Sequence, residues 1–285
     1  MQKQEKQNTV ALNGDESVAL AVKQCDVDVV AAYPITPQTI IVEKFSEYVA
    51  NGEVETNYVC TESEHSAMTA VLAASATGAR TFTASASAGL ALMHEMLFVT
   101  AGSRAPVVMA IANRALSSPL NIHGDHSDSM AERDSGWIHI YVENAQEAYD
   151  SIIQAFRIAE DLNVSLPVIV GLDGFTISHT LENVNILPDE VVKQFVGERK
   201  LPMVLTHEGK TVPFKLDPDN PITMGPNVSP AFYFEFKRQQ EEAMRIALNK
   251  IQEINSEYAK ITGRSYGNGL IDAYQLEDAE IAIIV

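Results

Sequence analysis

Cysteine is scarce in this chain of 285 residues: there are two, Cys25 and Cys60, far apart in the sequence. Their spacing matches neither a disulfide framework nor a zinc site. A cubane iron–sulfur cluster takes about four cysteine ligands, so the chain cannot hold one by itself. Basic residues are also few, 20 Lys and Arg against 38 Asp and Glu, a formal net charge of −18. That balance excludes a broad phosphate-binding face and argues against nucleic acid as a partner, while leaving room for a basic local pocket. Long hydrophobic runs are missing too. Ala105 to Ala112 is too short to cross a bilayer, and Leu90 to Thr100 is interrupted by His94 and Glu95. The opening stretch, Met1 to Gln7, is polar and has no signal-peptide core. These features predict a soluble, cytoplasmic protein with no membrane partner.

What is present is a globular composition, 46% hydrophobic and 20% charged, in a chain long enough to bury a large core. From residue 13 to about 180, short β-rich apolar runs alternate with helical segments. Asn13 followed by Glu16 reads as a capping box that opens a helix through Cys25. Strands are expected at Val27 to Tyr33, Asn57 to Cys60, Arg80 to Ala84, Pro106 to Ala112, Ile138 to Val142 and Pro167 to Leu172. The Ala-rich stretch Glu64 to Thr77 reads as a helix that Gly78 ends in the left-handed region. Six strands interleaved with helices imply an α/β fold: a parallel sheet covered by helices on both faces. Ligands in such sheets bind at the carboxyl ends of the strands. Residues 200 to 230 carry six prolines (202, 213, 218, 221, 226, 230) and read as an extended connector. A long helix is expected from Ala231 to about Thr262, packed along a stripe that includes Phe234, Met244, Ile246, Leu248, Ile251 and Ile254. The apolar run Ala279 to Val285 reads as the first strand of a second α/β domain. The expected domains are 1–198, 199–270 (connector and helix) and 271–285 (the truncated start of that second domain).

Three loops that follow strands carry candidate chemistry. In Tyr33-Pro34-Ile35-Thr36-Pro37-Gln38-Thr39, Thr36 is held between prolines and offers a hydroxyl; alternatively, Thr36 or Thr39 caps the next helix. In Thr61-Glu62-Ser63-Glu64-His65, the pair Thr61 and Glu64 fits a capping box. A desolvated carboxyl at that strand end also suits a different task, hydrogen bonding to N1′ of thiamine diphosphate to promote the imino tautomer that deprotonates the thiazolium carbon. Glu64 is the candidate for it, and Glu62 the rival. After the strand Pro106 to Ala112, Arg114 is the only charged side chain between Arg104 and Asp125. Its guanidinium either reaches solvent or binds an anion such as a substrate carboxylate. The run His123-Gly124-Asp125-His126-Ser127-Asp128 is too crowded for a confident tetrahedral metal site and equally suits a capped loop, so no metal is assigned to it. His126 and Asp125 are retained as residues of a possible active-site loop. Ser85 to Leu90 is a small-residue stretch that permits either close approach of a ligand or tight packing.

Taken together, Tyr-Pro-Ile-Thr-Pro (33–37), Glu-Ser-Glu-His-Ser-Ala (62–67), Thr-Ala-Ser-Ala-Ser-Ala-Gly-Leu-Ala-Leu-Met (83–93) and Asn-Ile-His-Gly-Asp-His-Ser-Asp (121–128) resemble the α subunit of pyruvate:ferredoxin oxidoreductases. The likeness continues through Arg-Asp-Ser-Gly-Trp (133–137), Asp173-Gly174-Phe175 and Ser178-His179. It implies a pyrimidine-side thiamine-diphosphate domain in which Glu64 activates the cofactor, beside Tyr33, Pro34 and Ile35. Thr36 and Arg114 would bind the substrate. The reaction it implies is oxidative decarboxylation of pyruvate with coenzyme A and ferredoxin. It also implies partners: a β subunit carrying the diphosphate and Mg2+ site, and iron–sulfur and γ-type subunits bearing [4Fe-4S] clusters. Gly124-Asp125-His126 lacks the second glycine of the family's diphosphate motif. Relatives that use 2-oxoisovalerate or 2-oxoglutarate, and a non-catalytic assembly subunit, are the competing expectations.

Overall fold

The computed structural model describes residues 5–225 and 227–283. In chain order the elements are β1 (Asn8–Leu12), α1 (Gly14–Gln24), β2 (Val29–Ala32), α2 (Thr39–Ala50), β3 (Asn57–Cys60), α3 (Glu64–Ala76), β4 (Thr81–Ser85), α4 (Ser87–Leu92), α5 (His94–Gly102), β5 (Val108–Asn113), α6 (Ser127–Ala131) and β6 (Ile138–Val142). There follow α7 (Ala145–Ala159), β7 (Val168–Asp173), β8 (Glu182–Ile186), α8 (Asp189–Val196), β9 (Met203–Leu205), β10 (Thr211–Pro213) and α9 (Pro230–Thr262).

The six expected strands form one sheet in the order β3-β2-β4-β5-β7-β6, and every pairing is parallel. Alternate side chains feed two cores. Val30, Phe82, Ala84, Val108, Ala110, Val168 and Val170 pack toward α1 and α7. Ala31, Met109, Ile111 and Ile169 pack toward α3 and α5 with Met68, Leu90 and Leu97. Burial on both faces is why these strands are apolar throughout rather than alternating. The chain runs from β2 outward to β3, then returns to place β4 on the other side of β2. The switch in direction opens a crevice at the carboxyl ends of β2 and β4.

Local signals set several boundaries. The Asn13–Glu16 capping box forms, with Glu16 N donating to Asn13 Oδ1 at 2.8 Å and Asn13 N donating to Glu16 Oε2 at 3.1 Å. Gly78, just past α3, and Gly263, at the end of α9, both take positive φ, +102° and +77°.

Other expectations are corrected. The connector 200–230 contains a short antiparallel hairpin, β9 with β10, and β1 pairs antiparallel with β8 outside the main sheet. The packed stripe of α9 begins at Ala243 and continues through Ala247, Ile254 and Tyr258. Phe234 and Leu248, expected on it, are 67% and 52% exposed, and around Phe234 every residue from 231 to 239 is exposed, so the first turns of α9 carry no packed stripe. Residues 279–283 are not a strand: Ile281 and Ile283 are 86% and 85% exposed, with no strand paired to them among the described residues. Residues 284 and 285 of that run lie outside the described residues. Among the described residues, no helix is long and apolar enough to cross a membrane.

The end of α9 is fastened to α7 by one buried carboxylate. Asp150 accepts from Tyr258 Oη (2.6 Å), Arg264 Nε (2.6 Å) and Nη2 (2.8 Å), and Tyr266 Oη (2.5 Å). Its side chain is fully buried. Asp150→Ala leaves the guanidinium and two phenols without their acceptor and should cost roughly 3–5 kcal/mol, read as a lower urea midpoint with an unchanged slope. A midpoint within error of the parent would rule out this latch.

Candidate active site

Because β2, β3, β4 and β5 are parallel neighbours, the loops that follow them open on one rim. This rim collects Thr36 (after β2), Glu64 (after β3), the Ser85–Gly89 turn (after β4) and Arg114 (after β5). With a strand spacing of about 4.8 Å, the ends of β3 and β5 are separated by roughly 14 Å.

Thr36 and Arg114 meet directly. Arg114 Nη1 donates to the Thr36 carbonyl oxygen at 2.7 Å. Arg114 is 7% exposed, so the reading of a solvated loop arginine is wrong. Its Nε is buried without a hydrogen-bond partner, and among the described residues no carboxylate pairs with its guanidinium. Thr36 is exposed, and its peptide bond to Pro37 is cis. It caps nothing: α2 has Gln38 at its N-cap position and no side-chain cap. Gln38 instead spans the turn, accepting from Ile35 N (3.1 Å) and donating to the Ala84 carbonyl (2.9 Å). Tyr33 and Pro34 are exposed beside it and Ile35 is half-buried.

The capping-box reading of Thr61 and Glu64 is also corrected. Ser63 caps α3, accepting from Ser66 N at 3.2 Å, while Thr61 Oγ1 donates to the Ala32 or Ser63 carbonyls. Glu64 is therefore the first residue of the helix, too early to complete a box. It is 6% exposed and, among the described residues, its side chain makes no hydrogen bond. Glu62, the rival, is exposed and takes the Ser66 hydroxyl, which holds its carboxyl below the usual range. Glu64 lies against Gly89. A Cβ at Gly89 would sit 2.5 Å from both Glu64 Oε1 and Ser85 Oγ. The Ser85 hydroxyl is itself buried without a partner. The small-residue stretch thus packs tightly, and what it packs against is the Glu64 carboxyl.

Asp128 was passed over in the sequence because nothing local sets it apart from its neighbours. It is 1% exposed and lies behind Arg114. Its Oδ2 accepts from Ser87 N (2.9 Å) and Arg114 N (3.0 Å); its Oδ1 accepts from Asn113 Nδ2 (2.8 Å) and Ser129 N (2.7 Å).

The remaining residues of the 121–128 run are tied to the far side of the rim. His126 Nε2 lies 3.3 Å from Asp173 Oδ1 and its ring rests on Tyr141. Asp125 accepts from Ser127 N at 2.7 Å, and the Ser127 hydroxyl together with this N–H holds its carboxyl low. His123 lies against Phe175, which in turn stacks on His179 at 4.4 Å between ring centroids.

The arrangement offers one buried acid, one buried cation and a polar turn between them. It suits an elongated ligand that presents a hydrogen-bonding heteroatom to Glu64 and an anion to Arg114.

A family model described as "Pyruvate flavodoxin/ferredoxin oxidoreductase, thiamine diP-bdg" matches residues 20–256. The chain is 55% identical over 273 residues to the pyruvate synthase subunit PorA of Methanocaldococcus jannaschii, covering 96% of this chain and 68% of that protein. It is 52% identical over 275 residues to PorA of Thermotoga maritima, covering 96% and 67%. It is 43% identical over 273 residues to the ketoisovalerate oxidoreductase subunit VorA of Pyrococcus horikoshii, covering 96% and 66%. Among solved structures, a 2-oxoglutarate:ferredoxin oxidoreductase from Magnetococcus marinus, with 2-oxoglutarate, coenzyme A and succinyl-CoA bound, shares the fold. Its TM-score is 0.72 at 23% identity, over 85% of this chain and 45% of that one. The chain thus spans about two thirds of the length of these curated relatives.

The contact between Gly89 and Glu64 is testable without any ligand. Gly89→Ala must displace the carboxyl or the turn and should lower stability by about 1–3 kcal/mol in thermal unfolding, with a crystal structure showing Glu64 moved. A variant of parent stability with Glu64 in place would show the packing to be looser than described.

Proposed function

Since the chain belongs to the pyruvate flavodoxin/ferredoxin oxidoreductase family of thiamine-diphosphate-binding domains, we propose that it is the pyrimidine-side subunit of a 2-oxoacid:ferredoxin oxidoreductase, with pyruvate as the 2-oxoacid. The reaction is oxidative decarboxylation: pyruvate and coenzyme A give acetyl-CoA and CO2, and the electron pair released passes singly to ferredoxin.

One observation carries this reading above the rest. Arg114 is a buried guanidinium whose only hydrogen bond among the described residues goes to a neutral carbonyl, the nearby Asp128 reaching its backbone N–H alone. A buried cation with no anion on its fork is costly, so an anion from outside the chain fits the open edge. A 2-oxoacid carboxylate matches the planar fork. With Nη1 held by Thr36, the Nε edge of the fork is left to the ligand.

The residues also fit the pyrimidine end of thiamine diphosphate. Glu64 is a nearly buried carboxyl with unused hydrogen-bonding capacity, seated where Gly89 leaves room. When bound there, the cofactor supplies the nucleophilic carbon that attacks the 2-oxo group. Glu64 holds the proton shared with the ring nitrogen N1′. Thr36 directs its hydroxyl to a substrate oxygen, Arg114 fixes the carboxylate, and Tyr33, Pro34 and Ile35 wall the cofactor side.

The diphosphate and Mg2+ are assigned to a partner β subunit. The ligand-like residues of the 123–128 run support that division, because they are already engaged: Asp125 with Ser127, His126 with Asp173, and Asp128 with four donors. Iron–sulfur and γ-type subunits would carry electrons onward to ferredoxin, and no iron–sulfur cluster can be ligated by the two cysteines here. The likeness to the VorA subunit keeps 2-oxoisovalerate as the second candidate substrate. Turnover of the assembled complex with pyruvate, 2-oxoisovalerate and 2-oxoglutarate separates the two.

Two substitutions in the assembled complex test the roles. Glu64→Gln should lower kcat by roughly 10²- to 10⁴-fold with the complex intact; unchanged turnover would leave this chain only an assembly role. Arg114→Lys keeps the charge and loses the fork, and should raise KM for pyruvate about 10- to 100-fold. A KM unchanged by that swap would remove the carboxylate from Arg114.

A further inference from the structure

The functional reading uses Glu64, Thr36 and Arg114 but leaves Asp128 out, although it is one of the most completely hydrogen-bonded side chains at the rim. We infer that Asp128 is the positioning residue that sets the substrate-binding guanidinium against the turn on which the activating carboxyl rests. This inference rests on the functional reading above.

Four donors converge on its two oxygens, three of them backbone N–H groups: Ser87, Arg114 and Ser129. The fourth is Asn113 Nδ2. An ionised carboxylate accepts on both oxygens and donates nothing, which makes it the one short side chain able to satisfy all four at once. Two of these bonds end on residues that bear on the chemistry. Oδ2 holds the backbone of Arg114, whose side chain reaches Thr36. The same oxygen holds the backbone of Ser87, a non-glycine residue at φ +46°. That conformation is strained for an L-residue and persists where its surroundings enforce it. Ser87 Oγ adds a second tie across the same gap, donating to the Ala115 carbonyl at 2.6 Å.

The Ser87 turn is also the seat of Glu64, since Gly89, two residues on, lies against that carboxyl. A continuous set of contacts therefore runs from Glu64 through Gly89 to Ser87, through Asp128 to Arg114, and on to Thr36. Each end of the set belongs to a different strand, and the cofactor and substrate must fit between them. Catalytic rates depend steeply on such spacing, and a displacement of about 1 Å can cost on the order of a hundredfold. Asp128 touches neither ligand in this account. It acts through the backbone of residues that do.

The test uses the complete complex carrying Asp128→Ala or Asp128→Asn, with three readouts: kcat with KM for pyruvate, KM for coenzyme A, and equilibrium dialysis of labelled pyruvate against complex stripped of thiamine diphosphate. Asp128→Ala should raise both KM and the dissociation constant for pyruvate about tenfold or more while KM for coenzyme A stays unchanged. Added formate, a carboxylate small enough to enter the vacated space, should restore much of the loss. Asp128→Asn should be milder, because the Asn113 amide can turn to offer its unpartnered Oδ1 to the new NH2 group. Pyruvate affinity unchanged in the Ala variant, or both KM values moving together with no response to formate, overturns the assignment. If the Ala variant does not assemble, Asp128→Asn decides: a selective rise in KM for pyruvate upholds the role and no change rejects it. An unsubstituted complex inactive with every 2-oxoacid would defeat the functional reading itself, whereas an active parent with indifferent Asp128 variants defeats the positioning role alone.

Discussion

Parallel pairing of β2 with both β3 and β4 is the constraint on which the site depends. Hydrogen bonding in a parallel ladder fixes the direction of each strand, so each returns its following loop to the same edge. Three residues widely separated in sequence reach one rim for that reason, without any contact between the loops being needed to recruit them. Antiparallel placement of β3 alone would send Glu64 to the opposite end of the sheet.

Buried charge is not treated alike throughout the chain. Away from the rim, two buried ions are bonded almost to capacity, although Asp15 on α1 is buried with neither carboxyl oxygen hydrogen-bonded and burial pushes its carboxyl up. Arg80 lies between Glu160, at 2.7 and 2.8 Å, and the carbonyls of Cys25 and Gly197. Asp150 gathers two phenols and a guanidinium. At the rim, Glu64 has no hydrogen bond within the described residues and Arg114 leaves its Nε unmatched. Open hydrogen-bonding capacity is therefore not confined to the rim, and what sets Glu64 and Arg114 apart is that an unmatched acid and an unmatched cation follow parallel strands of one sheet, where a ligand can meet both.

Much of this was legible in the sequence where the governing interaction is local. The Asn13–Glu16 capping box and the six apolar runs depend on neighbours within a few residues or on burial from both faces, and both could be read directly. That the candidates Thr36, Glu64 and Arg114 share one rim was legible as well, because each follows a strand of the same parallel sheet. Legibility failed where two local solutions compete or where the partner is distant. Thr61 and Ser63 both make acceptable caps, but Thr61 is held to the Ala32 carbonyl at the end of β2 and Ser63 takes the cap. The β1–β8 pair joins segments about 170 residues apart, so no local pattern announced it. Phe234 lies in the first turns of α9, exposed on every side, and nothing local marks that packing begins only at Ala243. Asp128 is the most instructive omission, because its partners are mainly backbone N–H groups, which every residue has and no sequence pattern marks.

On the proposed reading, charge accounts for a site shared between chains. The loops that form the rim contain one Lys or Arg side chain, Arg114, in a chain of net charge −18. A cofactor with a diphosphate tail and a substrate with a carboxylate both need positive charge, and a single guanidinium cannot serve the two from one position. With Arg114 assigned to the carboxylate, as proposed, the rim loops hold no second Lys or Arg for a diphosphate. The acidic surface that repels a free diphosphate also favours a complementary, cation-bearing partner surface. In this view the division of labour follows from how few positive charges the rim contains.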